Sequence, residues 1–201
     1  DQQFEIIMIS GASSAVDVIR GEETMLVGCT LPCDDTEQLL IFPGTHSKHI
    51  AVKYGMAQHI NTFMTGEVFD LLANKSILAH SVKKEDTGQM TKNSFFINGV
   101  MQGNVSNLLN SIFRVRTNGL FKKINACENY QYLSGLLIGH ELQGIAEDKR
   151  GRITLVCSEG LKSPYLQALD ALGFGVVTYQ NADEVLIKGQ LNILRQNGYL
   201  V

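Results

Sequence analysis

With 201 residues, the chain is long enough for one domain or one large lobe. Hydrophobic residues make up 44% of it and charged residues 18%, a balance that excludes an intrinsically disordered protein. A net charge of −3 provides no basic footprint for nucleic acid, and no apolar run approaches the ~20 residues of a membrane span, so we expect neither partner.

The first third of the chain contains most of the predicted strands. A β-branched run predicts a short strand at Ile6–Ile9. Three further strand-like runs, Leu39–Phe42, His49–Lys53 and Ala57–Met64, are separated by short turns. Because short turns join neighbouring strands in opposite directions, these three runs predict an antiparallel meander.

The middle of the chain has helical periodicity. Thr65 is predicted to cap a helix, and Glu67 suits the positive end of its dipole. Apolar residues recur at helical spacing over Ser94–Phe121, after a polar, loop-like segment at 81–93. A second long helix, apolar almost all round and therefore buried, is predicted from about Asn129 to Glu147.

The last fifty residues follow a simple α/β pattern. Strands are predicted at Ile153–Cys157 and Val176–Tyr179. Ser163-Pro164 is predicted to start the helix between them, and Asn181 to cap a final helix that Gly198 ends. Together the elements predict an α/β fold with a mixed sheet and helices on both of its faces.

A six-residue turn, Pro43-Gly44-Thr45-His46-Ser47-Lys48, joins the first two strands of the meander. Gly44 allows a ligand to approach the main chain, and consecutive N–H groups in such a turn form a concave anion site. Thr45 and Ser47 add hydroxyl donors, and Lys48 adds positive charge. The turn therefore indicates a phosphate site and nucleotide chemistry; the alternative is an ordinary polar hairpin turn, with Lys48 simply solvated.

Four cysteines, Cys29, Cys33, Cys127 and Cys157, carry no metal-site pattern. Cys29 and Cys33 are four residues apart rather than in a CxxC, and no His pair at ligand spacing accompanies them, so we expect no metal ligands here. Reduced thiols are the default in the cytoplasm, where we expect this protein.

Four stretches resemble the 2-dehydro-3-deoxygalactonokinase family of the actin, Hsp70 and sugar-kinase superfamily: residues 17–24 (DVIRGEET), 43–48 (PGTHSK), 62–67 (TFMTGE) and 133–142 (LSGLLIGHEL). The resemblance implies a ribonuclease-H-like βββαβα lobe and a cleft between two lobes that binds ATP with Mg²⁺. It also implies ATP-dependent phosphorylation of a hydroxyl of 2-dehydro-3-deoxy-D-galactonate, a sugar acid, in galactonate catabolism.

The resemblance also implies a division into lobes. Residues 1–16 are expected to end an N-terminal lobe or to cross from it, and residues 17–201 to form the C-terminal lobe, with a helical insertion at about 81–128. The Asp-Gly-Thr hairpin that opens such kinases has no counterpart at the start of the chain, which begins with Asp rather than Met. A missing N-terminal lobe is therefore the expected partner, and the chain alone is expected to be inactive. His49 stands where the family usually has Trp.

A carboxylate near the start of the second lobe is the base that the resemblance implies. Glu22, Glu23 and Asp17 are the candidates, and Glu22 is favoured because Gly21 before it allows substrate to approach. Arg20 is the candidate partner of the substrate carboxylate. The alternative for Glu22 and Glu23 is that they are acids favoured in the first turn of a helix.

Further binding residues are implied with less support from spacing. Gly135, Ser158 and Gly160 are the candidates for the ATP pocket, with helix packing as the alternative for Gly135 and a turn for Gly160. Thr65 and Glu67 are candidates for substrate binding, with helix capping as the alternative.

Two other functions remain open at this point. A non-catalytic regulator of the same fold, binding a sugar acid or a nucleotide, is consistent with His49 and the absent lobe. An interaction module is consistent with the apolar helices between Ser94 and Glu147, which are also candidates for a homodimer surface.

Overall fold

The computed structural model describes residues 6–32, 34–84, 94–145, 152–175 and 177–199. Its strands are β1 (Ala12–Ser13), β2 (Val18–Ile19), β3 (Gln38–Phe42), β4 (Ser47–Lys53), β5 (Met56–Phe63), β6 (Ile153–Cys157) and β7 (Val177–Asn181). Its helices are α1 (Glu22–Gly28), α2 (Thr65–Lys75), α3 (Ser94–Val105), α4 (Leu108–Leu120), α5 (Ala126–Leu142), α6 (Glu159–Ala171) and α7 (Ala182–Gln196), and a 3₁₀ turn spans Ile77–Ser81.

A five-stranded mixed sheet in the order β5-β4-β3-β6-β7 forms the centre. The β3–β4 and β4–β5 pairs are antiparallel, whereas the β3–β6 and β6–β7 pairs are parallel. The predicted meander and mixed sheet are confirmed. Because β3 and β6 run in the same direction, the turn after Phe42 and the start of α6 after Cys157 lie at one edge of the sheet.

Alternate residues of the central strands build two separate cores. Leu39 and Ile41 of β3 pack with α3, α5 and α6 on one face. Leu40 and Phe42 pack with α1 and α7 on the other. The predicted cover of helices on both faces is confirmed, since side chains alternate across a strand.

Pairs of glycines bring two sets of helices into backbone contact. In α3 and α5, a Cβ added at Gly99 would lie 2.2 Å from the Tyr132 carbonyl oxygen, and one at Gly135 would lie 2.0 Å from that of Phe96. In α1 and α7, a Cβ at Gly28 would lie 1.8 Å from the Val185 carbonyl oxygen. No side chain fits at these crossings, so the glycines set the distance between the helices.

Several helix boundaries differ from the predictions. The region 94–121 contains two helices, because Asn107 leaves the helical conformation and caps α4 through the Asn110 N–H. Helix α5 starts three residues earlier than expected, where Asn125 and Glu128 form a capping box. Helix α6 begins at Glu159, not at Ser163, and Pro164 lies inside it. Helix α2 has Met64 at its N-cap, so the prediction that Thr65 caps it is wrong.

The N-terminal segment forms a two-residue ladder between β1 and β2. The prediction of a strand at Ile6–Ile9 is wrong: these residues have no partner strand among the described residues, and Ile6 and Met8 are exposed. The small hairpin spans the expected boundary after residue 16, and the division into lobes stays a prediction. No helix in the described ranges has the length and apolar character needed to cross a bilayer.

Candidate functional site

A cleft of about 610 Å³ lies at the sheet edge where β3 and β6 end. Its walls come from the β3–β4 turn, the β2–α1 segment and the starts of α6 and α7. The predicted site residues among its lining residues are Arg20, Glu22, Gly44, Thr45, Lys48 and Ser158. The fold therefore brings together two stretches, 17–24 and 43–48, that lie apart in the sequence.

Gly44 leaves the main chain of the turn open toward the cleft. Its φ does not lie in the left-handed range, so the residue does not use the backbone angles that favour glycine. A Cβ added there would meet only the His46 carbonyl oxygen, at 3.8 Å, which is ordinary contact. Neither conformation nor packing in the described residues requires glycine here, and its role in the close approach of a ligand stays a prediction.

The N-terminus of α2 holds the turn from outside the cleft. The Glu67 N–H donates to the Thr45 carbonyl at 3.0 Å, and a Cβ at Gly66 would lie 2.5 Å from the Gly44 carbonyl oxygen. The half-exposed Glu67 carboxylate pairs with His46 Nε2 at 2.5 Å. Thr65 and Glu67 are not among the residues that line the cleft, although Glu67 contacts two that are, Thr45 and His46. The substrate contacts of Thr65 and Glu67 stay a prediction.

Lys48 is a buried cation of the cleft, not a solvated lysine. Its Nζ lies 3.1 Å from Glu22 Oε1 and donates to the His46 carbonyl at 2.8 Å. Only 8% of the Lys48 side chain and 16% of the Glu22 side chain are exposed. The other carboxylate oxygen of Glu22 accepts the Arg20 N–H at 3.1 Å, so the β2–α1 segment aims this acid at the lysine.

The other two candidate bases lie outside the cleft lining. Glu23 accepts the Gly21 N–H at 2.6 Å, folded back on its own helix start. Asp17 accepts the Thr62 N–H at 2.8 Å and also its hydroxyl, which ties the β1–β2 hairpin to β5. Burial opposes ionisation of Asp17, but these hydrogen bonds outweigh it and hold its pKa below the usual value. Glu22 is therefore the candidate base that lines the cleft.

Three other predicted binding residues have different surroundings from one another. The Ser47 hydroxyl is fully buried and donates to Glu141 Oε1 at 2.8 Å, so it faces the core rather than the cleft, and its contact with a phosphate stays a prediction. Gly135 packs against α3, which supports the helix-packing alternative, and its place in an ATP pocket stays a prediction. Gly160, in the first turn of α6 next to Ser158, has open space where a Cβ would stand, which is consistent with ligand approach.

Beneath the turn lies a buried polar cluster that the sequence did not predict. Glu141 of α5 is 3% exposed and accepts hydrogen bonds from Ser47, His49 and Tyr165, at 2.8 to 3.0 Å, and from Thr65. Burial opposes the ionisation of Glu141. The hydrogen bonds from His49, Thr65 and Ser47, together with the charge of His49, outweigh burial and lower the pKa of this carboxyl. A charged residue in the mostly apolar second half of α5 was the available signal.

Acid is expected to remove the stability that ionised Glu141 provides. Its folded-state pKa lies below the ordinary value of 4.5, to which it returns on unfolding. The contribution is therefore complete above pH 4.5 and is lost as the pH falls through the folded-state pKa. Thermal unfolding between about pH 7 and pH 3 checks this, with a smaller fall in Tm expected for Glu141→Gln than for the unmodified chain. Equal falls in Tm would contradict the expectation.

Comparison with known proteins gives one consistent family. The family model described as 2-keto-3-deoxy-galactonokinase matches residues 5–193. A protein of Rhizobium meliloti (strain 1021) named probable 2-dehydro-3-deoxygalactonokinase DgoK1 is 35% identical over 178 residues, 86% of this chain and 57% of the relative. The 2-dehydro-3-deoxygalactonokinase of Escherichia coli (strain K12) is 31% identical over 163 residues, 80% of this chain and 54% of that protein.

A solved structure agrees with these sequence relatives. A crystal structure of a candidate 2-dehydro-3-deoxygalactonokinase from Sinorhizobium meliloti has a TM-score of 0.83 and 34% identity, over 92% of this chain and 60% of that one. The chain thus spans somewhat more than half the length of the relatives that it matches.

Proposed function

Because the chain belongs to the 2-keto-3-deoxy-galactonokinase family, we propose that it is the ATP-binding C-terminal lobe of a sugar-acid kinase. The complete protein would transfer the γ-phosphate of ATP to a hydroxyl of 2-dehydro-3-deoxy-D-galactonate, in galactonate catabolism. The observation that carries this proposal is the cleft in which the open Gly44 turn, Lys48 and Glu22 meet. A turn without a ligand requires neither a glycine free of packing contacts nor a buried lysine at its end.

Each cleft residue has a role in this reaction. The N–H groups of the turn and the Thr45 hydroxyl would hold phosphate oxygens, and Lys48 would offset the charge that develops during transfer. Glu22 would accept the proton of the substrate hydroxyl, and Arg20 would pair with the sugar-acid carboxylate. Such catalysis consists mostly of positioning and charge stabilisation.

Magnesium fits the cleft only in part. The described residues contain no group of three or more His, Cys, Asp or Glu able to hold a metal ion. Mg²⁺ is commonly bound by substrate phosphates, water and one or two carboxylates. Since Glu22 is already paired with Lys48, the described cleft residues would not hold the metal by themselves, and phosphate oxygens of a bound nucleotide would supply much of its coordination.

The lobe assignment rests on topology and length. Three antiparallel strands followed by helix-linked parallel strands, in the order β5-β4-β3-β6-β7, support a ribonuclease-H-like βββαβα lobe. The share of the relatives that the chain spans supports a separate N-terminal lobe as its partner. In this arrangement the helical insertion is about 81–128, of which 85–93 lie outside the described residues. Its exposed apolar residues Val105, Leu109 and Phe113 support a homodimer. The free thiols of Cys29, Cys127 and Cys157 agree with the cytoplasm.

Nucleotide binding and turnover test the proposal separately. We expect the chain alone to bind Mg·ADP weakly and to release no ADP from Mg·ATP, because lobe closure is needed for transfer. Combined with the N-terminal lobe of a relative, it should release ADP only when 2-dehydro-3-deoxy-D-galactonate is present. A folded two-lobed protein that binds Mg·ADP but stays silent with this substrate would favour the non-catalytic regulator instead.

A further inference from the structure

Burying the Glu141 carboxylate costs free energy, and its surroundings explain how the fold offsets that cost. The helix that carries it, α5, contacts two of the hydrophobic clusters and is otherwise mostly apolar. A buried carboxylate loses its hydration, a cost that is recovered only when hydrogen bonds and charges replace the water. The described structure supplies donors to both oxygens of this carboxylate.

The donors come from three different elements. Ser47 and His49 lie on β4, Thr65 on α2 and Tyr165 on α6. Tyr165 has its pKa raised well above the ordinary value by burial and by the nearby Glu141 charge, so it stays a donor at neutral pH. One carboxylate on α5 therefore joins β4, α2 and α6 beneath the cleft.

Two of these donors lie next to the Pro43–His46 turn or in the helix that packs against it. Ser47 directly follows the Pro43–His46 turn. Thr65 is the first residue of α2. The next residue, Gly66, packs against the turn, and the Glu67 N–H donates to the Thr45 carbonyl. The turn is thus fixed from below through Ser47 and from outside through α2, and both supports end on Glu141.

From this arrangement we propose that Glu141 is a positioning residue for the phosphate turn. Its carboxylate sets the separation between the start of β4 and the start of α2, and so holds the Gly44 and Thr45 main chain in the shape that receives an anion. This inference rests on the proposed function for the identity of the ligand, a nucleotide phosphate. The predicted effect on the conformation of the turn does not depend on which ligand binds there. A purely structural role would affect stability everywhere and the turn no more than the rest.

A second buried polar residue on the same helix provides the matched control. Asn129 is fully buried, and its Nδ2 donates to the Ser81 and Val115 carbonyls at 2.9 and 2.7 Å. It lies twelve residues before Glu141, about 18 Å away along the helix axis. Asn129→Ala therefore removes buried hydrogen bonds from α5 without touching any support of the turn.

The test compares Glu141→Gln with Asn129→Ala in the chain as it stands. Hydrogen exchange of the Glu67 amide reports the bond to Thr45 without any ligand. We expect this amide to exchange about tenfold faster in Glu141→Gln, relative to amides at the centre of β3, and the Kd for Mg·ADP to rise about tenfold. Asn129→Ala should lower Tm while leaving both quantities within about twofold.

The outcomes separate this inference from the proposed function. Equal exchange of the Glu67 amide in Glu141→Gln and Asn129→Ala would overturn the positioning role. An unmodified chain that does not bind Mg·ADP would count against the proposed function, and the amide exchange would still decide the role of Glu141. If Glu141→Gln does not fold, Thr65→Val and Ser47→Ala each remove one donor, and both should speed the same exchange. Unchanged exchange in both would refute the proposal.

Discussion

Alanine at Gly99 or Gly135 should lower the free energy of unfolding by about 3 kcal/mol, at the upper end of what overpacking costs. The added methyl groups would lie 2.2 and 2.0 Å from carbonyl oxygens of the facing helix, so α3 and α5 have to move apart. A domain of this size has about 5–15 kcal/mol in total, so the loss is a large share of its stability. Urea unfolding followed by circular dichroism measures it.

The matched control is alanine at Gly160. This glycine also lies in a helix, but a Cβ there has nothing within 4 Å, so alanine should be neutral or stabilise by up to about 1 kcal/mol. The double variant Gly99→Ala/Gly135→Ala should cost less than the sum of the two single variants, because one separation of the helices accommodates both methyl groups. Single variants within about 0.5 kcal/mol of the unmodified chain would show that this crossing is looser than described.

Methionine at Lys48 should lower the turnover of the two-lobed protein by about 10²- to 10³-fold, the usual cost of removing one group that stabilises developing charge. Methionine keeps the length and apolar stem of lysine and removes the cation that lies 3.1 Å from Glu22. Release of ADP from Mg·ATP with 2-dehydro-3-deoxy-D-galactonate measures the effect, with Tm recorded alongside to verify folding.

Arg152→Gln is the matching control for Lys48→Met. It also removes one cation from an ion pair, because Arg152 lies 3.0 Å from Asp34. This pair is about half exposed and lies at the start of β6, whereas the cleft lies at the end of that strand. Exposed pairs contribute only about 0–1 kcal/mol, so turnover should stay within about twofold. A Lys48→Met protein that is folded and retains more than a fifth of the turnover would remove Lys48 from the mechanism.

Strand periodicity explains why the position of the turn was predicted correctly and the face of the strand on which Ser47 lies was not. The apolar runs on both sides of 43–48 were enough to place the hairpin. Successive side chains of a strand lie on opposite faces, so Ser47 and Lys48 cannot both face the cleft. Lys48 lies on the face of Ile50 and Val52, covered by α1 and α7, and Ser47 on the face of α5. This alternation was present in the sequence and places the Ser47 hydroxyl on the side of the strand away from the cleft.

The sequence does not show which residues far apart in the chain contact each other. The four-residue spacing of Gly135 and Gly139 suggests a close helix contact, but it does not name Gly99 and Gly103 as the partners. The charge of Glu141 on an apolar helix is likewise visible, yet its donors lie on three other elements. For α6, Ser163-Pro164 was the expected start, but the helix begins at Glu159 with Ser158 at its N-cap.

The position of β3 at the centre of the sheet has a consequence for how the chain is made. One edge of β3 pairs at once with β4, but the other pairs Leu39 with Ile153, which leaves the ribosome much later. Helix α1 acquires its packing partner even later, because Gly28 packs against α7 near the end of the chain. Such distant pairings form slowly, and until synthesis passes Ile153 the nascent meander keeps an open, apolar strand edge that is prone to aggregation.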